Sequence, residues 1–195
     1  MAQARRSDVA LFVLGAALFE GSRRLVRNKD LPPVEERLFR LANDAPDGLR
    51  APVRTVMQMG TYGTVPAVAA LAFLTGRRRL GAAIGLGGTA AWLLAKQAKP
   101  LGGRPRPAAI LTDVRLREGI AGDLGWVSGH TAVAITIACT SWSATPRWMH
   151  PLLVAGVATT AYGRMYVGAH LPLDLVGGAG LGLAVSALAR GLARD

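Results

Sequence analysis

Cysteine, histidine and aromatic residues are all scarce in this chain, which has one Cys, three His and 6% Phe, Trp and Tyr among its 195 residues. A lone Cys139 cannot close an intrachain disulfide, so no such staple holds the fold. Set in an apolar run, that thiol reads as a small buried hydrophobe. Neither a zinc-finger spacing nor an aromatic RNA-binding signature is present, and no basic helix is predominantly polar. These are the usual companions of nucleic-acid binding, so nucleic acid is set aside as a partner despite a net charge of +11. Acidic residues are few as well, 12 Asp and Glu against 23 Lys and Arg, which directs attention to anionic lipids or anionic substrates. No repeat, low-complexity segment or linker interrupts residues 1–195, so one domain is expected.

What fills the chain instead is apolar: 51% of residues are hydrophobic, high for a soluble protein of this size. The first apolar stretch, residues 8–26, follows Arg5 and Arg6 and imitates a secretory signal. Gly21-Ser22-Arg23-Arg24 leads straight into charge without a small-residue cleavage site, so the stretch is expected to be retained as a membrane segment. Further stretches at about 52–75, 80–98, 129–145, 151–167 and 173–190 each approach the roughly 20 residues a helix needs to cross the hydrocarbon layer. The fold class expected is therefore all-α, a polytopic membrane bundle of six transmembrane helices, or of five with a re-entrant segment because the first stretch has a short apolar core. Glycines spaced four apart, Gly81 with Gly85 and Gly178 with Gly182, suit close helix packing inside it.

Residues 28–50 interleave Lys29, Asp30, Glu35, Glu36, Arg37, Arg40, Asp44 and Asp47 with Val34, Leu38, Phe39 and Leu41. Pro32-Pro33 suits a helix start, and the pattern predicts an amphipathic helix lying along the membrane interface. Arg5, Arg6, Arg77, Arg78, Arg79, Arg147, Arg190 and Arg194 all fall on one side of a six-span topology, which the positive-inside rule makes cytoplasmic. The opposite side holds an expected loop at 99–128 and an unexpected surplus of Lys99, Arg104, Arg106, Arg115, Arg117 and Arg164. A bound anion is the natural reason for so much positive charge there.

Three segments carry candidate chemistry: Lys99 to Pro107, Val127-Ser128-Gly129-His130, and Arg164 to Asp174. The first two adjoin one loop and the third lies two spans further on, so an even number of crossings brings all three to the same face. Arg106 can grip a phosphate bidentately while Lys99 acts as a point charge, and the Pro- and Gly-rich stretch between them is not expected to be a regular helix. Ser128 and Gly129 sit at the start of a helix, where free N–H groups favour an anion. His130 and His170 both lie at predicted membrane boundaries beside basic residues. Asp174, four residues past His170, can orient one ring nitrogen and leave the other as a nucleophile, or can cap the helix. A metal held by His130, His170 and Asp174 is disfavoured by the repulsion of Lys99, Arg106 and Arg164, so no metal and no other cofactor is expected. A Ser128–His170–Asp174 hydrolase triad fits the residue types but leaves those cations unexplained.

In order and spacing these segments resemble the signature of the type 2 phosphatidic acid phosphatases, shared with vanadium-dependent haloperoxidases and bacterial acid phosphatases. Lys99, Arg106 and Pro107 match its first part in full; Ser128, Gly129 and His130 match the second; Arg164, His170 and Asp174 match the third. The resemblance implies a haloperoxidase-like helical core and a metal-independent lipid phosphate phosphatase. It casts His170 as the nucleophile that forms a phosphohistidine, Asp174 as its orienter and His130 as the acid for the leaving alkoxide. Lys99, Arg106, Ser128, Gly129 and Arg164 would bind the substrate phosphate. The chain departs from the pattern at Val127, where the family has proline, and at Gly163, where it has serine. The implied substrate is a membrane lipid phosphate: a polyprenyl phosphate or diphosphate, a phosphatidate or a phosphatidylglycerophosphate. A composition rich in Ala, Gly and Arg favours a cell-envelope polyprenyl carrier. The protein would then be integral to the cytoplasmic membrane, its site facing the extracytoplasmic side. A lipid-binding or scaffolding protein with a degenerate site is the alternative from another class.

Overall fold

The computed structural model describes residues 2–28, 30–119 and 122–193; Lys29 and Arg194, counted in the charge pattern above, lie outside the described residues. Among the described residues the chain is all-helical: α1 (Ala2–Arg27), α2 (Pro33–Asn43), α3 (Arg50–Met57), α4 (Thr64–Leu74), α5 (Arg78–Gly102), α6 (Gly129–Ser141), α7 (His150–Tyr166) and α8 (Pro172–Ala193). One isolated bridge, Pro105 to Leu124, is the extended pairing among them.

The apolar stretches and the helices differ in two places. The stretch at 52–75 is broken into α3 and α4, bent by 66°. Thr61 marks the break: it leaves the helical region with ψ at 155°, and its hydroxyl donates to the Gln58 carbonyl at 2.8 Å. At the end of α5, Lys99 and Pro100 are helical, against the expectation of an irregular tether. Pro100 cannot donate to the turn before it, yet the helix runs on to a left-handed Gly103 with φ at +59°. By length and composition α8 alone is apolar enough to cross a bilayer, or two spans qualify if the bent α3–α4 pair is taken as one. The others carry charge, as α1 and α5 do, or are short, as the 13-residue α6 is.

α8 is the hub and packs against α1, α5 and α6. Glycine lets the backbones meet: a Cβ at Gly180 would lie 2.4 Å from the Phe19 nitrogen on α1, and one at Gly182 2.6 Å from the Ala132 carbonyl on α6. Val26, Ile84, Ala91, Ala95, Trp126, Val133 and Leu181 fill the core between these helices. The Trp126 indole donates to Ser22 Oγ at 3.1 Å and lies tilted against Phe19. A second core joins α3 to α7 through Val53, Met57 and Tyr166. α2 buries Glu35, Phe39, Ala42 and Asn43 against the bundle and leaves Val34, Leu38 and Leu41 exposed.

Among the described residues, basic residues grouped by topology meet neighbours from other helix ends on their own side. Arg77 donates to the Ala144 carbonyl at 2.6 Å, and Arg190 pairs with Asp8 at 3.2 Å. Lys99, Ser128, Arg164 and His170 belong to the opposite helix ends.

Candidate active site

Two chain reversals build the site. After α7, Gly168 turns with φ at +80°, where a Cβ would come 2.8 Å from the Arg115 carbonyl, so only glycine fits without strain. The turn lets the Ala169 and His170 N–H groups donate to the Arg164 carbonyl at 3.0 and 3.1 Å, tying the histidine to the arginine. Pro172 then starts α8, its fixed φ suited to a first helical turn. The second reversal is the 103–128 loop. Lys99 secures it from the end of α5, its ammonium donating to the carbonyls of Leu124 at 2.9 Å, Gly125 at 3.2 Å and Val127 at 3.4 Å. Arg106 links the loop to the other reversal, donating to Gly122 O at 2.7 Å and Ala169 O at 2.8 Å.

At the centre, His170 Nδ1 faces Asp174 Oδ2 at 3.3 Å, and both side chains are buried. The same oxygen accepts the Leu171 N–H at 3.0 Å. Asp174 therefore caps α8 while facing His170, so capping and orienting are compatible roles for it. With Nδ1 turned to the carboxylate, Nε2 is the ring nitrogen left for chemistry. Burial first, then the positive charges of Arg164, Lys99 and Arg106, hold the His170 imidazole well below its ordinary pKa, and the ring is neutral. A neutral imidazole is the state a nucleophile requires.

Ser128 caps α6, its Oγ accepting the Thr131 N–H at 3.4 Å and the Thr131 hydroxyl at 3.0 Å. Its own N–H donates to the Asp174 carbonyl at 3.0 Å, which docks the α6 start on the α8 start. Gly129, first in α6, presents an N–H that the helix itself cannot use. His130 follows, half-buried and within electrostatic range of Arg164, His170 and Arg106. Arg164 is 5% exposed; its Nη1 engages the Glu118 carboxylate and Met57 Sδ, while its buried Nε has no partner. An unpaired guanidinium N–H buried beside a neutral histidine marks a place for an anion oxygen. Both Asp174 oxygens are already taken, and among the described residues no three His, Cys, Asp or Glu side chains form a metal-binding group.

Three arginines of the surplus are occupied internally. Arg104 grips Glu35 with both terminal nitrogens, at 2.7 and 2.6 Å, and reaches Asp174 Oδ1 at 3.4 Å. Arg117 pairs with Asp47 at 2.8 Å and donates to carbonyls of Asn43, Ala45 and Tyr166. Arg115 reaches the Asp44 carbonyl. Their charge answers local carboxylates and carbonyls, so no bound anion is needed to account for these three. Sequence reasoning missed Glu35 and Glu118. Glu35 shares a helix face with Phe39, the one signal of its burial, but its charge argued for solvent. The departures are also placed: Val127 is fully buried after a cis Trp126–Val127 peptide, and Gly163 faces Val53 and Met57, where a Cβ would come within 3.1 Å. Position 163 thus serves the packing of α3 on α7.

A model of the PAP2 superfamily matches residues 65–194. An undecaprenyl-diphosphatase of Sulfolobus acidocaldarius is 30% identical over 127 residues, 65% of this chain and 62% of that protein, so the match spans under two thirds of the relative. The crystal structure of Aquifex aeolicus LpxE superposes with a TM-score of 0.72 at 26% identity, covering 82% of this chain and 96% of that one. A transmembrane PAP2-type phosphatidylglycerolphosphate phosphatase from Bacillus subtilis superposes with a TM-score of 0.73 over 91% of this chain and 94% of that one. At 19% identity, that likeness is one of fold.

Proposed function

Because this chain belongs to the PAP2 superfamily, we propose that it is a lipid phosphate phosphatase that removes a terminal phosphate through a phosphohistidine on His170. The observation that carries the reading is the buried His170 facing Asp174 at 3.3 Å, with Lys99, Arg106 and Arg164 close enough to act on its ring electrostatically. His170 Nε2 attacks phosphorus as the bond to the leaving oxygen breaks, and His130 gives that oxygen a proton. Asp174 stabilises the imidazolium that develops. Arg106, Arg164, Lys99, Ser128 and the Gly129 N–H neutralise the charge spread over the phosphoryl oxygens, which is most of what phosphoryl transfer asks of a protein. His130, now a base, takes a proton from water; the water oxygen attacks phosphorus, the N–P bond breaks, and inorganic phosphate leaves. Arg164 must exchange Glu118 for a phosphate oxygen, or share its fork between them.

The substrate is a phosphate on an apolar anchor. A relative named for undecaprenyl diphosphate supports that class, as does an apolar exterior that includes Val13, Leu14, Leu71, Phe73, Leu74, Leu86, Leu152 and Leu188. Such a surface belongs in a bilayer. The protein crosses it with α1, the bent α3–α4 pair, α5, α6, α7 and α8, while α2 lies at the interface with Val34, Leu38 and Leu41 toward lipid. With Arg77, Arg78, Arg79 and Arg147 cytoplasmic, the site opens on the extracytoplasmic leaflet.

The test is phosphate release from detergent-solubilised polyprenyl diphosphate, phosphatidate and phosphatidylglycerophosphate, in excess EDTA and with vanadate. Release that survives EDTA and stops with vanadate is expected. Loss in EDTA that Mg²⁺ or Zn²⁺ restores overturns the metal-independent mechanism, and no release from any substrate leaves a lipid-binding protein.

A further inference from the structure

Glu35 has no part in the chemistry above, and it lies outside the matched residues 65–194. It is nonetheless 3% exposed, and the partners of its carboxylate lead to the proposed nucleophile. Its carboxylate holds Arg104 bidentately at 2.7 and 2.6 Å, and the Leu173 N–H in the first turn of α8 donates to Oε1 at 2.8 Å. Arg104 extends to Asp174 at 3.4 Å, and Asp174 to His170 at 3.3 Å. His170, Asp174, Arg104 and Glu35 therefore form one chain of side chains, with exposures of 3%, 0%, 3% and 3%.

We propose that Glu35 and Arg104 are positioning residues for the reaction, holding the Asp174 carboxylate and, through it, the His170 ring. The inference rests on the phosphatase reading of His170. The distances carry the argument. Arg104 lies nearer Glu35, at 2.7 and 2.6 Å, than Asp174, at 3.4 Å, so Glu35 shares its charge and holds it off the Asp174 carboxylate that faces the imidazole. Without Glu35, the guanidinium would close on Asp174 and compete with His170 for it. Without Arg104, two buried carboxylates would face each other, and one would take up a proton. The Glu35 bond to Leu173 fixes the α8 turn on which Asp174 is mounted. The other charged and titratable groups around the pair are Lys99 from α5, Arg106 from the loop, His130 from α6 and Arg164 from α7, and they are common to every variant below.

A salt bridge that only glued α2 to the bundle would alter stability and leave the pH profile alone. Positioning predicts opposite shifts. In Glu35→Gln, the unbalanced Arg104 charge favours ionised Asp174 and neutral His170, moving the acid limb of kcat/KM to lower pH. In Arg104→Gln, the unbalanced Glu35 charge moves that limb to higher pH. Each single variant should lose roughly tenfold to a hundredfold in kcat with KM little changed, the range for groups that orient a reacting residue. The double variant should restore the limb toward wild type. The measurement is the pH dependence of phosphate release by purified full-length protein in detergent, with thermal unfolding as the check on folding. Should Arg104→Gln fail to fold, Arg104→Lys keeps the charge without the fork and should lower kcat with an unshifted limb. Unshifted limbs in folded Glu35→Gln and Arg104→Gln, or, where Arg104→Gln does not fold, an unshifted limb in Glu35→Gln with a wild-type rate in Arg104→Lys, overturn the inference while leaving an active, His170-dependent phosphatase intact. Activity that survives His170→Ala removes the phosphatase mechanism and this inference with it.

Discussion

At one end of the bundle Arg104, Arg117 and Arg164 are 3%, 7% and 5% exposed, and each is held by a carboxylate; at the other, Arg77, Arg78, Arg79 and Arg147 are exposed. The residue types are the same and the physics is not. A buried guanidinium keeps its place only if its charge and its N–H groups are answered, so the first end is a network in which each cation holds a loop or a carboxylate in position. An exposed arginine keeps its hydration and interacts with headgroups and with the membrane's charge asymmetry, a topological role that tolerates substitution. Within the first end, among the described residues, one fully buried guanidinium N–H has no hydrogen-bond partner: the Arg164 Nε, beside the proposed nucleophile.

That contrast can be broken most sharply at its centre. His170→Ala should abolish turnover, a loss on the order of 10⁶ as when the nucleophile of a catalytic unit is removed, while the protein still unfolds cooperatively in detergent. Substantial phosphate release by folded His170→Ala would end the covalent mechanism. Asp174→Asn comes next, with a loss of about 10⁴ in kcat by analogy with orienting carboxylates. Near-normal turnover there would leave Asp174 as the cap that its bond to the Leu171 N–H already makes it. The smallest effect belongs to the opposite end: Arg78→Cys, in a Cys139→Ser background, should keep near wild-type activity. The same variant reports sidedness in intact cells. A membrane-impermeant thiol reagent should miss Cys at position 78 and label Asp113→Cys in the exposed loop. The reverse labelling would turn the bundle over and place the substrate in the inner leaflet.

Motif spacing made much of the site legible in the sequence because its parts are local. Ser128 capping α6, His170 four residues before Asp174, and Arg164 one turn before the reversal at Gly168 are relations within a few residues of helix ends. Apolar runs likewise located α1, α5, α7 and α8. The break between α3 and α4 was not visible, because residues 52–75 remain apolar through Thr61 and only a backbone turn separates the halves. The helical setting of Lys99 was hidden by the proline beside it.

Charge sign, order along the chain and the identity of the side chains proposed to react were determined by the sequence alone. Which charges answer each other was decided only by the fold. Arg104 and Arg106 stand two residues apart, yet one meets a glutamate 69 positions away and the other meets backbone carbonyls. Glu35 is written like its exposed neighbour Glu36, and its burial follows from the packing of α2 against α7 and α8. A residue's charge is a property of the residue, but its partner is a property of the chain reversals that bring distant segments together.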